Sequence, residues 1–227
     1  MTLHDDRPRG PITPTRLRLA DATRNLLHAA VAADADDATL ERVAELVEEA
    51  NEVLADVPWR RRATPDFAAI RAERERGGTE SGLHALADRA VAGPANPGSV
   101  GYTLRRDGDA VVADVEFGPA FEGAPGRVHG GILAAVFDDV LGAAMAGAGA
   151  PGFTGRLTVH FLAPVPVLRP VEIRAWMGER DGRKLSVHAE AHLGADVVAR
   201  ADALFILVAL DHFRTHAHDL PVGEGAG

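Results

Sequence analysis

One apolar helical run, set between stretches of strand alternation, restricts this chain more than any other feature of it. Ile132-Leu133-Ala134-Ala135-Val136-Phe137 continues through Val140-Leu141 and predicts a helix over 130–146. Before it, Val111, Ala113, Val115 and Phe117 alternate with Val112, Asp114 and Glu116. After it, period two returns at Leu157-Val159-Phe161, at Val171-Ile173-Ala175-Met177 and at Leu185-Val187-Ala189-Ala191, then in a last run from Asp196 to Leu210. Asp107-Gly108, Asp181-Gly182 and Leu193-Gly194-Ala195-Asp196 supply turns suited to hairpins. A mainly antiparallel sheet has one face to bury, and one long helix covers such a face. The fold class read from this order is α+β. Repeated βα units are missing, as is a phosphate loop with its lysine and hydroxyl residue, which argues against a nucleotide-binding sheet.

The first ninety or so residues follow another rule. Leu17, Leu19, Ala20, Thr23, Leu26, Leu27, Ala30 and Val31 suggest a first helix. Leu40, Val43, Leu46, Val47, Ala50, Val53 and Leu54 give a clearer second one, with Asp36 or Asp37 near its start and Pro58 at its end. These helices are expected to cover a sheet or a partner subunit. Residues 1–14 read as a tail and 60–98 as a transition, with Glu73–Gly78 exposed and Gly93-Pro94-Ala95-Asn96-Pro97-Gly98 irregular.

A net charge of -9 disfavours a broad nucleic-acid surface. Local basic groups remain: Arg60-Arg61-Arg62, and Arg169, Arg174, Arg180, Arg183 and Lys184, enough for a single anionic ligand. With no cysteine the chain has no disulfide framework, thiol nucleophile or thiolate metal site. No segment is apolar for long enough to span a bilayer, and Met1–Gly10 lacks the basic-then-apolar order of a secretory signal, so a cytoplasmic location is the default expectation.

Chemistry concentrates at Gly126-Arg127-Val128-His129-Gly130-Gly131, which leads directly into the predicted central helix. Adjacent glycines let backbone N–H groups approach a ligand, and a helix N-terminus favours negative charge. Two acids, Asp138 and Asp139, interrupt the apolar helix and point about 100° apart. Buried carboxylates are costly unless paired or used. His129 stands nine residues before Asp138, too far for a helical zinc pair, and His212, His216 and His218 read as tail residues; no metal is expected. Each residue also has a structural reading: the glycines as packing, His129 as a brace, Asp138 as a paired acid, Thr154 as a strand-start hydroxyl.

His129-Gly130-Gly131, Asp138, Gly142 and the stretch Thr154–Pro166, with Asn96-Pro97 as an entry segment, together resemble the hotdog-fold acyl-CoA thioesterases. The branch most resembled groups phenylacetate-pathway-like and human THEM-like thioesterases. The resemblance covers residues 94–210, about half the chain. It implies a hotdog fold, a long central helix wrapped by a mainly antiparallel sheet, with residues 1–93 a helical extension and linker and 211–227 a polar tail. It also implies hydrolysis of an acyl-CoA to free acid and CoA without a cofactor, in a homodimer or a homotetramer that builds each site from two chains. By that resemblance Asp138 activates water or attacks the thioester, the Gly131 N–H is the oxyanion donor, His129 orients the thioester end and Thr154 positions the water or the carboxylate. Gly130, Arg156 and Arg169 are then assigned to the bound coenzyme, although Gly155-Arg156 departs from the residues common after that threonine. The competing expectations are a hotdog protein that binds acyl-CoA without turnover and, less well matched in spacing, an enoyl-CoA hydratase or dehydratase.

Overall fold

The computed structural model describes residues 5–8, 12–58, 60–61, 87–146 and 151–209. Its elements are β1 (Asp5–Pro8), α1 (Pro14–Ala32), α2 (Asp37–Ala55), β2 (Arg60–Arg61), β3 (Thr103–Asp107) and β4 (Ala110–Glu116), then a 3-10 turn (Pro119–Phe121) and α3 (Gly130–Met145). Four long strands complete it: β5 (Gly152–Phe161), β6 (Pro170–Asp181), β7 (Lys184–Leu193) and β8 (Asp196–Leu207). The exposed stretch read at 73–78, the histidines 212, 216 and 218 and the tail 211–227 lie outside the described residues.

Six strands form one antiparallel sheet in the order β3-β4-β6-β7-β8-β5. Its hairpins turn at Gly108, Gly182 and Gly194, whose φ angles of 59°, 56° and 63° fall in the left-handed region that glycine enters without steric cost. One face of the sheet is lined by Ala113, Ile173, Ala175, Val187, Ala189, Ala191, Ala199 and Ala201, all buried. This many small side chains let a helix seat closely, and α3 fills the concavity with Leu133, Val136, Phe137, Val140 and Leu141. This is the helix wrapped in a sheet that the hotdog resemblance implies.

The strand edges depart from the simple pattern for identifiable reasons. β3 carries Arg105, which donates to Asp114 (3.1 Å) and Glu172 (2.6 Å) on the exposed face. Charged side chains suit an edge strand and mask its alternation. β5 begins at Gly152, five residues before the alternation at Leu157, because its register against β8 slips between Thr154 and Arg156. A bulge at Gly155 breaks period two there. Composition alone also gave no sign of the short parallel pair between β1 and β2.

Both predicted N-terminal helices form. Thr13 caps α1 by accepting from the Arg16 N–H, and Asp36 caps α2 by accepting from the Thr39 N–H at 2.9 Å. α1 packs against the 3-10 turn: the His28 ring meets Phe121 edge-on at 5.2 Å, and its Nδ1 accepts from the Ala120 N–H. Neither helix covers the sheet, and no residue of α2 is buried. The irregular loop at 93–99 is held by two polar groups. The Ser99 hydroxyl, fully buried, donates to the Gly93 carbonyl (2.7 Å). Arg24 on α1 donates to the carbonyls of Pro94, Asn96 and Ser99. These bonds satisfy carbonyls that a non-helical loop would otherwise leave without partners.

Candidate active site

α3 begins where a turn has to hand the chain to a helix. His129 is its N-cap: the backbone there is extended, and the imidazole Nδ1 accepts the Gly131 N–H at 3.0 Å. A neutral ring accepting at Nδ1 carries its proton on Nε2. The backbone of His129 is itself held, its N–H donating to the Phe121 carbonyl (2.9 Å). Gly123 lies so close that a Cβ there would sit 2.9 Å from the His129 Cα, so this glycine sets the approach of the turn.

The capping bond bears on the expected oxyanion donor. The Gly131 N–H is engaged by His129, whereas the Gly130 N–H makes no hydrogen bond among the described residues. Gly130 also borders a cavity of about 570 Å³ whose walls include Arg127, His129, Leu133, Phe161 and Leu162. A Cβ at Gly130 would lie 3.3 Å from the Phe161 ring. Of the two glycines, Gly130 presents the available amide. Arg127 is the charged side chain in this wall, and reasoning from sequence passed over it; its place beside His129-Gly130 was the signal. Arg156 follows the β5 bulge and Arg169 directly precedes β6. Both are exposed, and neither lines the cavity.

Asp138 lies further along the same helix. Its Oδ1 accepts the Thr154 hydroxyl at 2.8 Å, so the two sequence-predicted residues are brought together. The bulge at Gly155 lies immediately after Thr154 and turns that side chain toward the helix. An isolated glycine inside a strand pattern was the available sign of it. Asp139 points elsewhere, as adjacent helical positions require, and meets Arg89 Nη1 at 2.9 Å and the Tyr102 hydroxyl at 2.5 Å. Burial, then the Asp139 charge beside it, hold the Tyr102 phenol far above its ordinary range, so this hydroxyl stays a donor.

The spacing along α3 separates the two halves of the expected site. Eight residues of helix place Gly130 and Asp138 about 12 Å apart along the axis. A single carbonyl needs its oxyanion donor and its attacking group each within about 3 Å. One chain does not bring the Gly130 amide and Asp138 onto one atom, nor do Asp138 and Thr154 line the cavity.

The family comparisons agree with this fold and this helix. Residues 125–200 match the model of the thioesterase superfamily. Acyl-coenzyme A thioesterase THEM4 of Bos taurus is 31% identical over 94 residues, 41% of this chain and 38% of that protein. The Xenopus laevis protein of the same name is 34% identical over 91 residues, 39% of this chain and 41% of its own length. The chain thus spans about two-fifths of the curated relatives it matches. A crystal structure of a thioesterase superfamily protein superposes with a TM-score of 0.69 at 26% identity, covering 88% of this chain and 98% of that one. The chain has a hotdog fold whose residues 125–200 match the thioesterase superfamily, and it is related to the THEM4 acyl-coenzyme A thioesterases. Among the described residues no helix is long and apolar enough to cross a membrane.

Proposed function

We propose that the protein hydrolyses an acyl-CoA thioester, working as a homodimer whose sites each take residues from two chains. The observation that carries this reading is the Thr154–Asp138 hydrogen bond at one end of β5, with the Gly130 amide near the other end. β5 is an edge strand and leaves Phe153 and Phe161 exposed, with Leu162 just beyond it also exposed. If two copies pair antiparallel along this edge about a two-fold axis, the start of one β5 lies beside the end of the other. Asp138 of one copy then approaches Gly130 of the other, which removes the 12 Å obstacle found within one chain.

In this arrangement the Gly130 N–H and the α3 N-terminus stabilise the oxyanion formed as the planar carbonyl becomes tetrahedral. That contribution is larger in the transition state than in the substrate. Asp138, oriented through Oδ1 by Thr154, takes a proton from water on its other oxygen as the water oxygen bonds to the carbonyl carbon. Collapse of the intermediate breaks the C–S bond, and the departing thiolate takes up the proton. Removing a general base costs about 10² to 10⁴ in rate. Asp138→Asn is therefore expected to cut kcat at least a hundredfold in a thiol-release assay over short, branched, aromatic and long acyl-CoA substrates. Retained turnover in that variant would sink the mechanism. Saturable binding without thiol release by the unaltered protein would favour the non-catalytic reading.

A further inference from the structure

We propose that Asp139, Arg89 and Tyr102 form a positioning clamp that sets the rotation of α3 and thereby holds Asp138 opposite Thr154. The inference rests on the reading of Asp138 as the base and adds residues that never touch substrate.

Two consecutive carboxylates tie the central helix to opposite edges of the sheet. Asp138 is bound by Thr154 on β5, the last strand in the order; Asp139 is bound by Tyr102, the residue immediately before β3, the first strand. Arg89 reaches the same carboxylate from the loop that leads to β3. A helix held from both sides through neighbouring residues has little freedom to turn about its axis. That freedom matters because a side-chain tip stands about 5–6 Å from the helix axis, so a turn of about 10° moves it by about 1 Å. A misplacement of that size costs on the order of a hundredfold in rate.

Stability alone is a poor account of the clamp. The side chains of Arg89 and Asp139 are only 20% and 12% exposed, and α3 is otherwise apolar on its packed faces. A partly buried ion pair is often no more stabilising than well-packed apolar residues of similar volume. What it supplies is direction, because the carboxylate accepts from two donors at fixed positions. The clamp is braced from behind: Arg24 on α1 fixes the 93–99 loop, which lies between Arg89 and Tyr102 in sequence. This gives the N-terminal extension a part in the reaction as a fixed support.

The test uses the full chain with Tyr102→Phe, Arg89→Ala and Arg89→Lys, each assayed for kcat and KM by thiol release on the best substrate of the panel. Tyr102→Phe keeps the ring and removes one hydrogen bond; we expect kcat to fall about tenfold with KM within about twofold. Arg89→Lys should recover part of the loss in Arg89→Ala, and if Arg89→Ala fails to fold, Tyr102→Phe decides. In the Asp138→Asn background Tyr102→Phe should cost nothing more, because it acts through the group already removed. An unchanged kcat, or the same loss in both backgrounds, overturns the clamp. If the unaltered protein releases no thiol from any substrate, the hydrolase reading falls, and amide hydrogen exchange across residues 136–142 decides the clamp. Faster exchange in Tyr102→Phe supports it, and identical exchange overturns it.

Discussion

The residue that separates the competing accounts of the oxyanion site is Gly130. It is the first residue of α3, and His129 before it is already extended, at φ -62° and ψ 129°. Proline is tolerated at a first helical position, where its missing N–H breaks no helical bond, and it asks the preceding residue to be extended. Gly130→Pro therefore deletes one amide hydrogen with little cost to the helix, provided the Phe161 ring gives by a few tenths of an ångström. If the Gly130 N–H is the oxyanion donor, kcat should fall about 10²- to 10³-fold while the thermal midpoint stays near that of the unaltered protein. Turnover that survives this substitution would return the role to Gly131, with His129 swinging off its amide. The family resemblance assigned the donor to Gly131; the sequence shows two adjacent glycines, and which amide is free depends on a side-chain rotamer. Asp138 stood out for the opposite reason, since a carboxylate in an apolar helix is unusual in itself whatever the rotamers, whereas Thr154 was singled out only through the family resemblance, a threonine being common in strands. Arg89 carried no such mark, since an arginine in an irregular segment has no periodicity to violate.

At the scale of elements, α1 shows how a helix can be anchored by two polar side chains on one face while most of its apolar residues stay exposed. Leu19, Leu26, Leu27 and Val31 are exposed, whereas Arg24 and His28 make the contacts with the rest of the fold. The helical period told us that α1 and α2 exist, and Asp36 marked where α2 begins. The period did not tell us what they pack on, because a 3.6-residue stripe fits a sheet, a partner or neither. The His28 contact has a sign that can be tested. Burial first, and then the neighbouring Arg24 charge, lower the His28 pKa below its ordinary 6.5. The folded chain thus binds this proton less readily than the unfolded chain. The stability it contributes is complete above about pH 6.5 and is lost as pH falls from there toward the lower folded value. Protonation also removes the lone pair that accepts the Ala120 N–H. Amide exchange within α1 should therefore speed up relative to the sheet between pH 7.5 and pH 5.5. In His28→Ala the α1 exchange should be fast at both pH values; a pH response of equal size in that variant would exclude His28 as its source.

The whole molecule is constrained by what one chain cannot do by itself. The superposable thioesterase structure covers 88% of this chain, more than residues 94–210 provide, so the resemblance in shape extends into the N-terminal part. Hairpin turns and one intervening helix made the succession of strands legible but not the place of β5 at the sheet edge, and the linear sequence does not display the distance between Gly130 and Asp138 that has to be weighed against the reach of a single carbonyl. Once it is, the two halves of the site must come from different copies or the proposed chemistry fails. A two-fold dimer makes this decidable with two inactive variants. Let one chain carry Asp138→Asn and the other Gly130→Pro. In a mixed dimer, one site receives both lesions and the other receives neither, because the intact Asp138 belongs to one chain and the intact Gly130 to the other. A one-to-one mixture, allowed to exchange subunits after mild denaturation, forms mixed dimers as half of its population, each with one working site. Thiol release should recover to roughly a quarter of the activity of the unaltered protein at equal chain concentration. Sites built within single chains give no recovery, since every chain in the mixture carries a lesion, and activity that stays at the level of the separate variants after verified exchange would rule out the shared site.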